Sequence, residues 1–244
     1  MVLQAPVLSR RPRHVGIVAC STEGAALCYR TVAQAGEERL GPYVHPEISL
    51  HSHCLADYMA CIDRDDWAGV GELMLSSAGK LKAAGAEFLI CPDNTIHIAM
   101  PHVRPRSPLP WLHIGEVVAE EARRRGFRRL GITGTRYTME GPVYPEVLSA
   151  AGLEFRVPPP QTQADLNRVI FDELVHGRFT PESLDRFRRA IAELEDEGCD
   201  AVVLGCTEIP LLVSPENSPL PTLDSTRLLA QAAVEHALAA GDPV

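Results

Sequence analysis

The chain has 244 residues, 45% of them hydrophobic, and a formal net charge of −9. That length and apolar content suit one large or two small α/β domains with a sizeable core, and they exclude a disordered chain. The acidic balance argues against nucleic acid or an anionic membrane as a main partner, because both reward clustered Lys and Arg.

The first residues, MVLQAPVLSRRPRH, lack the apolar core of a signal peptide, and no later run is long enough to cross a bilayer, so a cytoplasmic protein is expected. Short apolar runs then alternate with longer amphipathic ones. HVGIVAC predicts a strand and GAALCYRTVAQAG a helix; EISLHSH predicts a strand and WAGVGELMLSSAGKLKAAG a helix; EFLICP predicts a third strand. LPWLHIGEVVAEEARRRG predicts a helix whose closing arginines alternate with acids, which reads as a solvated face. RRLGITGT, VYPEVLSAAG, EFRVP, TPESLDRFRRAIAELEDEG, DAVVLGC and STRLLAQAAVEHALAA continue the alternation to the end. Regular alternation of this kind implies βα units and parallel sheets, with ligands at the carboxyl ends of the strands. Seven cysteines, at 20, 28, 54, 61, 91, 199 and 206, show no CxxC spacing, so reduced thiols are expected rather than a disulfide framework or structural zinc.

The chain also repeats itself. GAEFLICPD from Gly85 and GCDAVVLGC from Gly198 are each a helix-ending glycine followed by a strand, and their offset of 113 carries Asp93 onto Cys206. GIVACSTEG from Gly16 and GITGTRYTMEG from Gly131 are offset by 115. Two strand-plus-loop units recurring in register imply two pseudo-symmetric α/β lobes of mainly parallel sheet, with a site in the cleft between them. Two Pro-rich segments sharing the string SPLP, Ser107 to His113 and Glu216 to Asp224, mark the crossings. The expected division is residues 1–112 plus 217–244 for one lobe and 113–216 for the other.

Two strand-end motifs carry the chemistry. CPDNTIH presents Asp93, Asn94 and Thr95; LGCTEIP presents Cys206, Thr207 and Glu208. A thiol and a carboxylate on opposite sides of one carbon suit proton transfer, one group taking a proton while the other gives one. Hydroxyls and N–H groups just past strand ends, here Thr135 and Thr138 of GTRYT and Ser21 and Thr22 of CSTEG, suit a carboxylate and its enediolate-like form. The N–H groups of the segment opened by Cys206 are expected to lower its pKa.

These motifs, with NRVIFDELVHG and LPTLDSTRLLAQAAVEHAL, cover nearly the whole chain and resemble the cofactor-independent aspartate/glutamate racemase family. The resemblance implies two α/β lobes, no pyridoxal phosphate, no metal, a small carboxylate substrate and a homodimer. By position it makes Cys206 the catalytic thiol of the second lobe, Asn94, Thr95 and Thr207 substrate-carboxylate contacts, Thr135 and Thr138 the threonine loop, and Glu208 the glutamate of aspartate-type members.

The sequence departs from the family pattern where a first-lobe cysteine belongs: Asp93 stands there. Reference pKa values make a carboxylate a weaker base than a thiolate by ~4.6 units, or roughly 6 kcal/mol of driving force. Racemisation therefore requires burial to raise the Asp93 pKa. Otherwise the resemblance allows a decarboxylase or cis-trans isomerase of the same superfamily, or a carboxylate-binding protein without catalysis. Cys91, two residues before Asp93, is expected to pack in the core. His51 and His53 share a strand face and offer either a metal site with Asp93 or His97 or the sole cation candidates for a second substrate carboxylate.

Overall fold

The computed structural model describes residues 10–239 and 242–243. Residues 1–9, most of the stretch read for a leader, lie outside the described residues. The chain forms two compact units: Met1–Pro92, Ala99–His113 and Leu229–Val244 make the first, Asp93–Ile98 and Ile114–Leu228 the second.

The first unit contains β1 (Arg10–Arg11), β2 (Val15–Ala19), β3 (Ile48–Ser52) and β4 (Phe88–Ile90), with α1 (Thr22–Leu40), α2 (Leu55–Ile62), α3 (Trp67–Ala83) and α4 (Met100–Val103). β2 is fully buried and lies between β3 and β4, parallel to both. The second unit contains α5 (Ile114–Arg125), β5 (Arg129–Gly134), α6 (Arg136–Glu140), α7 (Val143–Ala150), β6 (Glu154–Arg156), α8 (Pro160–Asp172), α9 (Pro181–Asp196), β7 (Ala201–Gly205) and β8 (Thr222–Asp224). These strands form one parallel sheet in the order β6-β5-β7-β8. α10 (Ser225–Ala239) starts in the second unit and continues in the first, and β9 (Asp242–Pro243) pairs antiparallel with β1.

Helices cover both faces of the second sheet, which is why its central strands read as unbroken apolar runs. Side chains alternate along β7. Ala201 and Val203 join α5 and α7 around Leu130, Ile132 and Tyr144, while Val202 and Leu204 join α8 and α9 around Leu166, Phe187 and Leu194.

The repeat read in the sequence is present at the level of register. Val15 pairs with Phe88 and Gly16 with Leu89; Leu130 pairs with Ala201 and Gly131 with Val202. The glycines before the repeated strands, Gly85 and Gly198, both adopt positive φ, +96° and +81°, a conformation that ends a helix at no steric cost for glycine. The two SPLP segments are the same turn: Ser107 Oγ donates to Leu109 O and Ser218 Oγ to Leu220 O, each at 2.7 Å. Each turn leads into a parallel step, Leu89 N donating to Pro110 O at 2.8 Å and Val202 N to Pro221 O at 2.9 Å. The turn at residues 218–221 therefore delivers β8 onto β7, and the chain leaves the second unit only after Leu228.

Candidate active site around Cys206

β7 ends at Gly205 and presents Cys206, Thr207 and Glu208 in sequence. Glycine is required before the thiol because a Cβ on Gly205 would sit 2.7 Å from the carbonyl of Thr133 on β5. Cys206 is half-buried, whereas Thr207 and Glu208 are buried. One carboxylate oxygen, Glu208 Oε2, accepts from both the Cys206 thiol at 2.9 Å and the Thr207 hydroxyl at 2.8 Å.

The expected lowering of the thiol pKa is overturned. Burial pushes the Cys206 thiol well above its ordinary value, the Glu208 carboxylate adds to this by charge and by accepting the thiol proton, and Asp93 adds more. The backbone N–H of Glu208 acts in the direction anticipated from the sequence and is outweighed. Cys206 is consequently a protonated acid at neutral pH.

The segment 93–98 belongs to this same unit although β4, which precedes it, belongs to the other. Hydrogen bonds explain the crossing. Tyr144 Oη donates to Asn94 Oδ1 at 2.6 Å, and Asn94 Nδ2 donates to Ser225 Oγ at 3.0 Å. Thr95 Oγ1 lies 3.0 Å from Thr135 Oγ1, which lies 3.3 Å from Thr138 Oγ1, which donates to the Gly205 carbonyl at 3.3 Å. His97 accepts the Ile114 N–H at Nε2, so its proton resides on Nδ1, which donates to Asp93 O at 3.1 Å. Asp93 and Thr95 remain partly exposed; Asn94 is buried.

Asp93, Asn94, Thr95, Thr135, Thr138, Cys206, Thr207 and Glu208 thus occur in one unit, tied by a hydroxyl row and an amide network. Ser21 and Thr22 occur in the other: Ser21 caps α1 by accepting the Gly24 N–H at 3.3 Å, and Thr22 opens that helix and is exposed. Cys91 is fully buried, as expected of a core residue. The paired histidines have protein partners. His51 contacts Ser77 Oγ through Nδ1 and Lys80 Nζ through Nε2, both at 3.0 Å, and His53 Nε2 lies 3.1 Å from Ser76 Oγ. No group of three His, Cys, Asp or Glu suited to a metal occurs among the described residues. Sequence reasoning missed Tyr144 and Ser225, which carry no motif of their own and read only as helix residues.

Two similar parallel α/β units, one presenting a thiol beside carboxylates and a hydroxyl row, form a framework of the racemase class. The chain belongs to the Asp/Glu/hydantoin racemase family, whose model matches residues 17–233. It is 24% identical over 200 residues to the broad-specificity amino-acid racemase RacX of Bacillus subtilis, covering 80% of this chain and 83% of that protein. A Yersinia pestis structure described as a candidate Asp/Glu racemase is 32% identical, with a TM-score of 0.85 over 93% of this chain and 99% of the other. An aspartate racemase homologue from Pyrococcus horikoshii is 29% identical, with a TM-score of 0.80 over 92% and 99%.

Proposed function

We propose that this protein is a pyridoxal-phosphate-independent amino-acid racemase in which Asp93 and Cys206 exchange protons with the α-carbon of a small carboxylate substrate. The observation that carries this reading is the Cys206 thiol, held protonated against Glu208 on the unit that also carries Asp93. In one direction Asp93 takes the α-proton and becomes a carboxylic acid. The substrate becomes an enediolate, whose charge the Asn94 amide, the Thr95 hydroxyl and the Thr207 backbone N–H offset. Cys206 then delivers its proton to the α-carbon and is left as a thiolate, and solvent exchange restores both groups.

Both directions cross the same two proton transfers; what differs is the enzyme form that meets each enantiomer, ionised Asp93 with the Cys206 thiol for one and protonated Asp93 with the thiolate for the other. For two enantiomers of equal free energy the equilibrium constant stays at unity, so the asymmetry falls on kcat and KM together. Ser21 and Thr22 are proposed as further substrate contacts. Homodimer formation is proposed from the family resemblance, and light scattering on the purified protein reads it.

The test is α-hydrogen exchange in deuterium oxide, followed by NMR, for both enantiomers of alanine, aspartate, glutamate and lysine. Wild type is expected to exchange or invert at least one pair, and Asp93→Asn and Cys206→Ser to reduce this by roughly 10²-fold or more. Turnover unchanged by Cys206→Ser would remove the reading. Silence on amino acids with turnover of a substituted malonate would establish a decarboxylase instead.

A further inference from the structure

The amide of Asn94 sits in a hydrogen-bond chain whose direction is set at its carbonyl end. Leu204 O, a carbonyl, only accepts, and it takes the Ser225 hydroxyl proton at 2.9 Å. Ser225 Oγ must then accept from Asn94, so the atom 3.0 Å away is the nitrogen. At the other end Asn94 Oδ1 faces Tyr144 Oη at 2.6 Å. Tyr144 is fully buried, and burial, followed by a hydrogen bond to Ser225 that opposes it and the charge of Asp224 that adds to it, holds its phenol protonated. The Ser225 end sets the amide orientation, and the Tyr144 phenol, which is able to donate, agrees with it.

We propose that Tyr144 and Ser225 are positioning residues that lock the Asn94 amide so that its second Nδ2–H is the donor presented to a substrate carboxylate. This deepens the racemase reading and rests on it for the identity of the ligand. The consequence is polarity: with Oδ1 committed to a phenol, the side chain offers a proton and no second acceptor of comparable geometry. The same chain reaches β7 at Leu204, two residues before Cys206, so it also fixes the segment that carries Asp93 to the strand that carries the thiol.

The test uses the full-length protein labelled at asparagine with ¹⁵N, titrated with the D and L forms of alanine, aspartate, glutamate and lysine. In wild type one Asn94 Nδ2–H is expected to move downfield on saturation while the proton bonded to Ser225 moves little. Tyr144→Phe is expected to weaken the dissociation constant roughly tenfold, the scale of one buried hydrogen bond, and Ser225→Ala by a similar factor. Combined with Asn94→Ala, Tyr144→Phe is expected to add nothing, because Tyr144 reaches the ligand only through the amide, directly or by way of its hydrogen bond with Ser225. Additive losses in that double variant, or affinity unchanged in both single variants, would overturn the proposal; should Tyr144→Phe fail to fold, Ser225→Ala with Asn94→Ala decides the same question. An amide shift without α-hydrogen exchange would sink the racemase reading and keep the lock, and exchange with a silent amide would do the reverse.

Discussion

Cys206 keeps its proton because burial, and then the acids beside it, favour the neutral thiol. Thiols at strand ends are commonly activated by N–H groups, and one acts here, but burial, Glu208 and Asp93 together outweigh it. Glu208→Gln removes the negative charge while leaving an acceptor for the thiol, so the thiol pKa is expected to fall. Thiolate absorbance near 240 nm, taken as a difference against Cys206→Ser, should then appear at lower pH than in wild type. An unchanged onset would show that burial alone sets the pKa. Asp93→Asn also removes a negative neighbour and is expected to lower the thiol pKa by less, since Asp93 is the smaller contributor. The sequence supplied Asp93 and Cys206 as a pair; the burial that raises the thiol pKa, and the fold-back of the Glu208 carboxylate that adds to it, came from the packing.

At the scale of elements, the two sheets repeat one arrangement with different tolerance. A Cβ added to Gly16 would meet Leu89 Cδ2 at 2.7 Å, Ala86 Cβ at 2.9 Å and the Phe88 carbonyl at 3.3 Å, whereas the three atoms nearest one added to Gly131 all belong to the Leu194 side chain. Leu194 has flexible torsions to give; a backbone carbonyl and an alanine do not. Gly16→Ala is therefore expected to cost about 1–3 kcal/mol in urea unfolding and Gly131→Ala clearly less. Equal losses would show that Leu194 is as rigidly held as the β4 backbone. Gly205→Ala drives its Cβ into the Thr133 carbonyl and so displaces Cys206 directly. Its expected signature is a drop in turnover larger than its loss of stability, read by comparing exchange rate with urea midpoint.

At the scale of the whole molecule, the pH dependence of stability follows from buried histidines. Burial, aided by the charge of Arg104, pulls the His113 pKa down to about 4. A depressed histidine contributes stability that is fully present above its unfolded pKa of about 6.5 and is lost as pH falls toward the folded value. The loss between pH 6.5 and 4 is up to about 3 kcal/mol from this group. His51 and His236 are also shifted down and add the same sign, while Asp224, shifted up by burial, opposes them. Urea midpoints are expected to fall from pH 7 to pH 4.5, and His113→Gln to flatten that slope; a slope unchanged by the substitution would place the titration elsewhere. The framework could be read from the chain alone: alternating apolar periods, helix-ending glycines at Gly85 and Gly198, the two SPLP turns and the strand-end motifs are local signals, each readable within a dozen residues. The partners of those motifs emerged only from the packed fold. Asn94 meets Tyr144 and Ser225 across separations of 50 and 131 residues, and residues 93–98 join the second unit through those bonds. Neither follows from periodicity, because a hydrogen bond between distant side chains depends on the register of packed strands and helices, and periodicity specifies faces without specifying which polar atoms on them will meet.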